Sequence, residues 1–419
     1  MTSEVYAADW VVPVVAAPIR DGAVVVEDGR IAWIGPQADL PPRWTDAPRQ
    51  RGVIVPGLVN AHTHLQYTGF REIGAGSYTS FEEWSFVFGE LYDAVEPSSW
   101  HEAAREGARL AIASGTTVFA EIVTDTPARG ALPECGVGGI EYLEAIGQFD
   151  RIWREGGRAD FLAWLEEPTD ARRGISPHAA YSLDGSVVTD LVRIAADRGL
   201  RVHSHLGESF AEADFYRHGD RTVLGAYGDL RDEFELVRKG GVGHTTGEYA
   251  DAIGLLSETT HVAHAIYLDR AERDLLLARR TQVALCPRSN RVIGLAEAPV
   301  AAYLTEGHEI SVGTDSLASS PSLDLMEDVR ELAAIARKQG YTDSDLEERL
   351  VRAATLGGAK AMGLADDGYG GLSVGGPADL ALFDIAVEGT GVHEVLVADG
   401  AGSCVLTVAG GREVFRASA

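Results

Sequence analysis

The sequence predicts a (β/α)8 barrel with a small β-sandwich domain that both ends of the chain form together. Two observations support this prediction. Eight short apolar runs alternate with helix-like segments over about 300 residues, which is typical of a parallel-stranded barrel. Both ends instead contain short β-branched runs separated by glycine-rich turns. An open doubly wound sheet is the alternative, but no G-x-G-x-x-G sequence follows a predicted strand.

The flanking domain is expected to comprise residues 1–55 and 366–419, and the barrel residues 56–365. Near the start, two β-branched runs flank the turn-forming pair Asp28-Gly29, which is typical of a hairpin. Near the end, glycine-rich turns separate three further runs. The predicted strands of the two ends are residues 23–26, 31–34, 378–383, 394–397 and 405–408.

The barrel elements follow from the alternation of apolar runs and amphipathic segments. The predicted strands are residues 53–59, 116–122, 160–165, 174–178, 201–206, 259–264, 282–286 and 309–313. The clearest predicted helices are residues 100–113, 186–198, 270–279 and 323–338. The glycine cluster of residues 136–139 lacks the spacing of a phosphate-binding loop, so we expect it to lie in a long loop.

The composition of the chain argues against nucleic-acid binding, membrane association and a disulfide-bonded secreted protein. Lysine plus arginine total 36 and aspartate plus glutamate total 63, giving a net charge of −27 that repels nucleic acid and anionic membranes. No apolar run is long enough to span a membrane, and the interrupted apolar start argues against a secretion signal. Three distant cysteines make no disulfide set. We expect a cytoplasmic protein with a small-molecule substrate, and homo-oligomerisation stays open.

Seven of the twelve histidines fall at the carboxyl ends of predicted strands, the face on which barrel enzymes form active sites. In His62-Thr63-His64 the two imidazoles project from one face of a strand. Imidazoles with a carboxylate favour zinc or iron(II), whereas calcium and magnesium prefer oxygen donors. One divalent metal is therefore expected, zinc in the first place. The seven histidines are His62, His64, His178, His203, His205, His261 and His264.

Five sequence blocks resemble the amidohydrolase superfamily, in particular its mononuclear branch of adenosine-type and S-adenosylhomocysteine deaminases and chlorohydrolases. They are residues 56–64 (PGLVNAHTH), 205–208 (HLGE), 263–264 (AH), 286–290 (CPRSN) and 313–316 (GTDS). The resemblance implies that the metal ligands are His62, His64, His205 and Asp315. It also implies that Glu208 is a proton shuttle and that His264 lies beside the metal-bound water. Because Asp315 would lie close to that water, we expect it to accept the proton of the water.

Two histidines are ambiguous. His203 shares a strand face with His205, so spacing alone cannot decide which of them binds metal, and the family pattern favours His205. We interpret His203 and His261 as packed barrel histidines. The three lysines, Lys239, Lys338 and Lys360, are all far from the end of strand four. A lysine-bridged binuclear centre, which this superfamily also contains, is therefore excluded.

The substrate is less clearly indicated. The candidate substrate-binding residues are Gln66, Trp84, His178, Arg288 and Ser289. Residues 175–182 and 286–291 are most similar to aminodeoxyfutalosine deaminases, which implies deamination of an adenine nucleoside with a benzoate tail that an arginine would bind. The alternatives are S-adenosylhomocysteine, methylthioadenosine or guanine deamination, and hydrolysis of a triazine or cyclic amide. A barrel without catalytic activity, serving as a scaffold, is the non-enzymatic alternative.

Overall fold

The computed structural model describes residues 3–44, 47–388 and 391–418. Its strands form one sheet of seven strands and one of eight. Residues 1, 2, 45, 46, 389, 390 and 419 of the predicted flanking domain lie outside the described residues. The boundaries of the two domains stay a prediction. Within the described ranges, no helix is both long and apolar enough to cross a membrane.

Fifteen strands in the described residues are numbered in chain order. They are β1 (Ser3–Val11), β2 (Ile19–Glu27), β3 (Arg30–Pro36), β4 (Gln50–Pro56), β5 (Leu58–Thr63), β6 (Thr116–Val123), β7 (Gly138–Ala145), β8 (Arg172–Pro177), β9 (Arg201–Leu206), β10 (Thr260–His264), β11 (Gln282–Leu285), β12 (Ile310–Val312), β13 (Leu380–Phe383), β14 (Cys404–Ala409) and β15 (Arg412–Arg416).

The α-helices are likewise numbered in chain order, and all four predicted helices are confirmed, as α3, α7, α11 and α14. The bounds are α1 (Arg71–Gly74), α2 (Phe81–Tyr92), α3 (Trp100–Ile112), α4 (Ala131–Glu134), α5 (Asp150–Ile152), α6 (Arg158–Glu166), α7 (Gly185–Arg198), α8 (Phe210–His218), α9 (Glu235–Lys239), α10 (Thr246–Ala252), α11 (Arg270–Arg279), α12 (Pro287–Ile293), α13 (Val300–Glu306), α14 (Leu325–Lys338), α15 (Leu346–Arg352), α16 (Gly358–Ala361) and α17 (Val392–Asp399).

The seven-stranded sheet combines both ends of the chain, as predicted. Its order is β15-β14-β13-β4-β1-β2-β3, and the predicted hairpin is the pair β2 and β3. Side chains from both halves of this sheet, including Val24 and Leu406, pack in one buried cluster. The predicted strand at residues 394–397 is wrong, because these residues lie in α17. Val392 and Leu396, four residues apart, are buried there on one helix face.

The eight-stranded sheet is the predicted barrel. Strands β5 to β12 follow one another in order, and each pairs in parallel with the next. Near the ends of the first and last strands, the Asp315 amide donates to the His62 carbonyl oxygen at 3.0 Å, which links β12 to β5. The carboxyl ends of all eight strands therefore surround one point, where the active site of such a barrel forms.

Strand three of the barrel differs from the prediction. Residues 160–165 lie in α6, where Phe161 and Leu165 are buried at the spacing of a helix face. The strand is β7 instead, and it contains part of the glycine cluster expected in a loop. Gly139 has a φ of 132°, and a Cβ there would lie 2.0 Å from the Phe119 carbonyl oxygen, so only glycine fits this close strand pairing.

A single residue separates the two sheets where β4 passes into β5. The predicted strand 53–59 is thus two strands, one in each sheet, on either side of Gly57. A Cβ on Gly57 would lie 2.1 Å from Thr117 Oγ1 in the neighbouring strand. On the side of the seven-stranded sheet, β4 pairs with β13 from the end of the chain. The flanking sheet therefore anchors the first barrel strand directly.

Candidate active site

The predicted metal ligands converge at the carboxyl end of the barrel. His62 lies near the end of β5 and His64 directly after it, His205 lies on β9, and Asp315 follows β12. All four are buried. One potential ligand atom from each of His62, His64 and Asp315 lies within 4.8 Å of the other two. His205 completes the group, because its Nε2 lies 3.3 Å from His64 Nε2.

His203 orients His62, the first of these predicted ligands. His203 Nδ1 lies 3.0 Å from the His261 carbonyl oxygen and so carries a proton that it donates to that oxygen. Its Nε2 is then an acceptor and lies 2.8 Å from His62 Nδ1. This hydrogen-bond pattern assigns the proton of His62 to Nδ1 and leaves the Nε2 lone pair for a ligand. Spacing could not distinguish His203 from His205, but these contacts favour His205 as the ligand.

Burial favours the neutral form of the histidines predicted to bind metal. Burial lowers the pKa of His64 to about 3 and the pKa of His62 well below its ordinary value. His205 Nδ1 lies 2.8 Å from the His178 carbonyl oxygen, which fixes its proton there and turns the free Nε2 towards His64. Neutral imidazoles with a free nitrogen are the form that binds metal ions.

These residues fit one divalent metal ion. His62 Nε2 is buried and has no hydrogen-bond partner among the described residues, which is unfavourable for a polar atom unless a ligand occupies the space. Three imidazole nitrogens and one carboxylate oxygen are a donor set that zinc accepts. Asp315 is held ready for this role, because Ser289 Oγ and the Ser316 amide donate to its two oxygens at 2.7 and 2.6 Å.

Two site residues have a left-handed backbone. The φ angles of His264 and Asp315 are 70° and 59°, a conformation that costs a residue other than glycine about 1–3 kcal/mol. His264 Nδ1 lies 3.0 Å from Asn290 Oδ1, so that its Nε2 is directed into the site. That Nε2 lies 3.5 Å from Glu208 Oε1 and 3.9 Å from Asp315 Oδ2. The imidazole therefore stands between the two carboxyl groups predicted to transfer protons.

Glu208 lies in the turn after β9 and is 4% exposed. Burial raises the pKa of its carboxyl group to about 7. Its backbone amide donates to Glu212 Oε2 at 2.9 Å, which holds the turn in place. A carboxyl group with this pKa both gives and takes a proton near neutral pH, as a proton shuttle must.

A cavity of about 400 Å³ lies above these groups. Helix α2 forms one wall, where Phe81, Trp84, Phe88 and Tyr92 recur every three or four residues and so share one helix face. Ser80 caps the start of the helix, because its Oγ accepts a hydrogen bond from the Glu83 amide. The aromatic residues that line the cavity are Tyr67, Phe81, Trp84, Phe88, Tyr92, Tyr181 and Tyr227. This shape suits a flat ring.

Two of the five predicted substrate-binding residues line the cavity. They are Trp84, whose Nε1 donates to the Ala318 carbonyl oxygen, and His178, whose Nδ1 lies 2.8 Å from Ser182 Oγ. The other three make structural contacts. The Gln66 amide binds Asp125 and the backbone of residues 124 and 125. The Ser289 hydroxyl donates a hydrogen bond to Asp315 Oδ2.

Arg288 is directed away from the cavity. Its guanidinium is 3% exposed and binds Asp328, with an Nη2–Oδ2 distance of 2.7 Å, together with Glu327 and Ser322. These contacts use its hydrogen-bonding capacity inside the protein. They argue against the predicted contact between Arg288 and a substrate carboxylate.

Two residues of the site were missed by the sequence reasoning. Glu144, at the end of β7, lines the cavity, and burial raises its pKa to about 8. It was missed because β7 was not recognised, although a glutamate at the end of a correctly assigned barrel strand would have been a signal. Asn290 orients His264, and it lies in the CPRSN block without having been given a role.

Comparison with known proteins identifies the family of the chain. Residues 53–414 match the model of the amidohydrolase family, and residues 22–47 match an imidazolonepropionase-like composite domain of bacteria. A 5-methylthioadenosine/S-adenosylhomocysteine deaminase of Pelotomaculum thermopropionicum is 28% identical over 383 residues, which cover 87% of this chain and 80% of the relative.

Two solved structures have the same fold. One is a zinc-bound adenosine deaminase from Xanthomonas campestris, with 24% identity, a TM-score of 0.78, and coverage of 98% of this chain and 92% of the other. The second is the aminofutalosine deaminase of Helicobacter pylori in complex with methylthio-coformycin, with 21% identity, a TM-score of 0.78, and coverage of 98% and 99%. The chain therefore belongs to the amidohydrolase family and is a hydrolase of carbon–nitrogen bonds.

Proposed function

We propose that the protein is a metal-dependent deaminase that removes the exocyclic amino group of an adenine-type nucleoside whose far end is uncharged. The observation that carries this proposal is the meeting of a metal-ligand set, the carboxyl of Glu208 and an aromatic cavity at one point of the barrel. The relatives that are 5-methylthioadenosine/S-adenosylhomocysteine deaminases support the choice of an adenine ring.

The residues of the site supply the proton transfers that hydrolytic deamination needs. His62, His64, His205 and Asp315 would hold one divalent ion, zinc in the first place, which would lower the pKa of a water molecule towards neutrality. Asp315 would accept a proton from the attacking water, and His264 Nε2, which lies 3.9 Å from Asp315 Oδ2, would hold the oxygen of that water. Glu208 protonates the ring nitrogen beside the reacting carbon, so that the ring accepts the electron pair as the carbon–oxygen bond forms. A proton then passes to the amino group, which leaves as ammonia.

The cavity also indicates what the substrate carries at its far end. Among the described residues that line it there is no arginine or lysine, whereas Asp93, Glu144, Glu208 and Asp315 contribute acidic groups. The net charge of −27 adds a field that opposes anions. A carboxylate tail such as the benzoate of aminodeoxyfutalosine, favoured by the sequence resemblance, would find no cation here. The aromatic wall instead favours a small apolar substituent such as a thioether.

A substrate panel tests this proposal. The zinc-loaded enzyme is assayed for ammonia release and loss of adenine absorbance with 5-methylthioadenosine, adenosine, S-adenosylhomocysteine, aminodeoxyfutalosine and guanine. We expect the highest kcat/KM with 5-methylthioadenosine or adenosine. A preference for aminodeoxyfutalosine would contradict the argument from charge, and hydrolysis of a triazine or cyclic amide without any deamination would contradict the proposed reaction. A metal-free protein that is silent with every compound would favour the scaffold.

A charge substitution at the cavity mouth sharpens the test. Asp93 lies one residue beyond α2, is exposed, and lines the cavity. We expect Asp93→Arg to raise the kcat/KM for the carboxylate-bearing nucleosides relative to that for 5-methylthioadenosine. Asp93→Asn is the matched control, because it removes the negative charge without adding a cation. Equal ratios in all three proteins would show that charge at the mouth does not select the substrate.

A further inference from the structure

Glu144 is a buried carboxyl group of the cavity to which the proton transfers above give no role. It lies at the carboxyl end of β7, is 5% exposed, and faces the same cavity as Glu208. One of its carboxyl oxygens lies within 4.8 Å of a ring nitrogen of His178 and of His205. Because His205 is a metal ligand, this oxygen lies near the reacting end of the cavity rather than near its mouth.

One oxygen of Glu144 is bound by the protein and the other is free. Tyr67 Oη donates to Thr124 Oγ1 at 3.0 Å, and Thr124 Oγ1 donates to Glu144 Oε2 at 2.7 Å. Oε1 is buried and has no hydrogen-bond partner among the described residues. A buried polar atom without a partner costs about 1–3 kcal/mol. The chain of hydroxyl donors thus fixes the carboxyl group and leaves one polar atom available to a ligand.

We propose that Glu144, as a protonated carboxyl group, is a specificity-determining residue that donates a hydrogen bond from Oε1 to a purine ring nitrogen, N3 or N7, while Glu208 contacts N1. This inference rests on the proposed function and adds to it a second carboxyl contact with the ring. N3 and N7, the two ring nitrogens that remain when Glu208 contacts N1 and the ribose occupies N9, are acceptors, so a residue that contacts either of them must be a donor. In the hydrogen-bond chain, Tyr67 donates to Thr124 and Thr124 donates to Glu144. A hydrogen bond donated by Glu144 to the ring would continue this chain in the same direction.

Three variants and two analogues test the contact. Glu144→Gln keeps the arrangement, because its amide oxygen can accept from Thr124 while its NH₂ group donates to the ring. Glu144→Leu removes the donor, and Glu144→Met, which has a similar length, replaces it if the leucine variant does not fold. Each zinc-loaded protein is assayed with the best adenine nucleoside and with its 3-deaza and 7-deaza forms, which each lack one ring acceptor. Zinc content and melting temperature are measured in parallel.

The matched control is Glu141, three residues earlier on β7. It is 1% exposed, and its Oε1 accepts from the Gly130 amide at 2.8 Å, away from the cavity. Glu141→Leu also removes a buried glutamate from the strand. We expect it to lower the melting temperature and to change kcat/KM by the same factor for the parent nucleoside and both deaza forms.

For Glu144→Leu we expect a loss of roughly 10-fold or more in kcat/KM for the parent nucleoside. We expect that loss to vanish with one of the two deaza forms, and Glu144→Gln to stay within about threefold of the parent enzyme. Two results would overturn the inference: an equal loss with all three nucleosides, or a glutamine variant as impaired as the leucine variant, which would assign Glu144 the role of an acceptor. If the unsubstituted enzyme deaminates no adenine nucleoside, the proposed function itself has failed, and that outcome is visible before any variant is compared.

Discussion

Replacement of His203 by leucine is expected to weaken zinc binding although His203 touches no metal. His203 is fully buried and its Nε2 accepts from His62 Nδ1. In His203→Leu that N–H group has no partner, which costs about 1–3 kcal/mol. The imidazole of His62 escapes this cost by moving its proton to Nε2, the atom that should bind the metal. A free energy of this size corresponds to about a 5- to 150-fold change in an equilibrium constant.

The assay is a zinc titration of the metal-free protein in competition with a coloured chelator. We expect His203→Leu to raise the dissociation constant by about 10- to 100-fold, the range found for groups that orient metal ligands. His203→Gln offers a carbonyl oxygen to the same N–H group and should recover most of the affinity. His308→Leu is the matched control, because His308 is also buried but its ring packs against Tyr303 of α13. Unchanged zinc affinity in His203→Leu would refute the reasoning.

Three further predictions concern proton transfer and stability. Glu208→Gln should lower kcat by about 10²–10⁴-fold with full zinc content, and retained activity would contradict the proton-shuttle role. Burial raises the pKa of Asp379 to about 6, whereas its pKa in the unfolded chain is about 3.9. Between about pH 4 and 6 the carboxyl group therefore ionises more readily in the unfolded chain, and the free energy of unfolding falls as the pH rises. The loss reaches about 3 kcal/mol. In urea unfolding, Asp379→Asn should therefore gain stability over the parent across that range, and a constant difference would contradict this. Asp328→Ala leaves the buried Arg288 without its main partner and should cost about 3–5 kcal/mol, whereas Glu331→Ala at an exposed ion pair should cost less than about 1 kcal/mol.

The clustering of the candidate metal ligands could be predicted because barrel geometry leaves a local trace in the sequence, whereas the choice of His205 over His203 came from the resemblance to the amidohydrolase superfamily. His62, His64, His205 and Asp315 each end an apolar run, and the ends of parallel strands meet in space however far apart they lie in the chain. The candidate role of Trp84 could also be predicted from neighbouring residues alone, because Phe81, Trp84 and Phe88 recur at the three- and four-residue spacing of one helix face.

Contacts between distant polar residues left no such trace. Arg288 was predicted to bind a substrate carboxylate, but its partner Asp328 lies forty residues further on, in α14, and nothing in either segment indicates the pairing. Strand β7 was missed because two glycines and two glutamates interrupt its apolar pattern. Gly139 is required by the close approach to Phe119, and both glutamates, Glu141 and Glu144, are buried. The missed strand concealed Glu144.

The pairing of β4 with β13 has a consequence for how the enzyme matures. On the ribosome, His62 and His64 emerge long before residues 380–383, which flank β4 in the finished sheet. Pairing between such distant segments is slow, because the intervening chain must first be ordered. The first barrel strand therefore gains its final anchor only after residues 380–383 have been synthesised. Zinc capture is accordingly expected to be a late event, and a nascent chain that stalls before β13 would carry its histidines without the scaffold that aligns them.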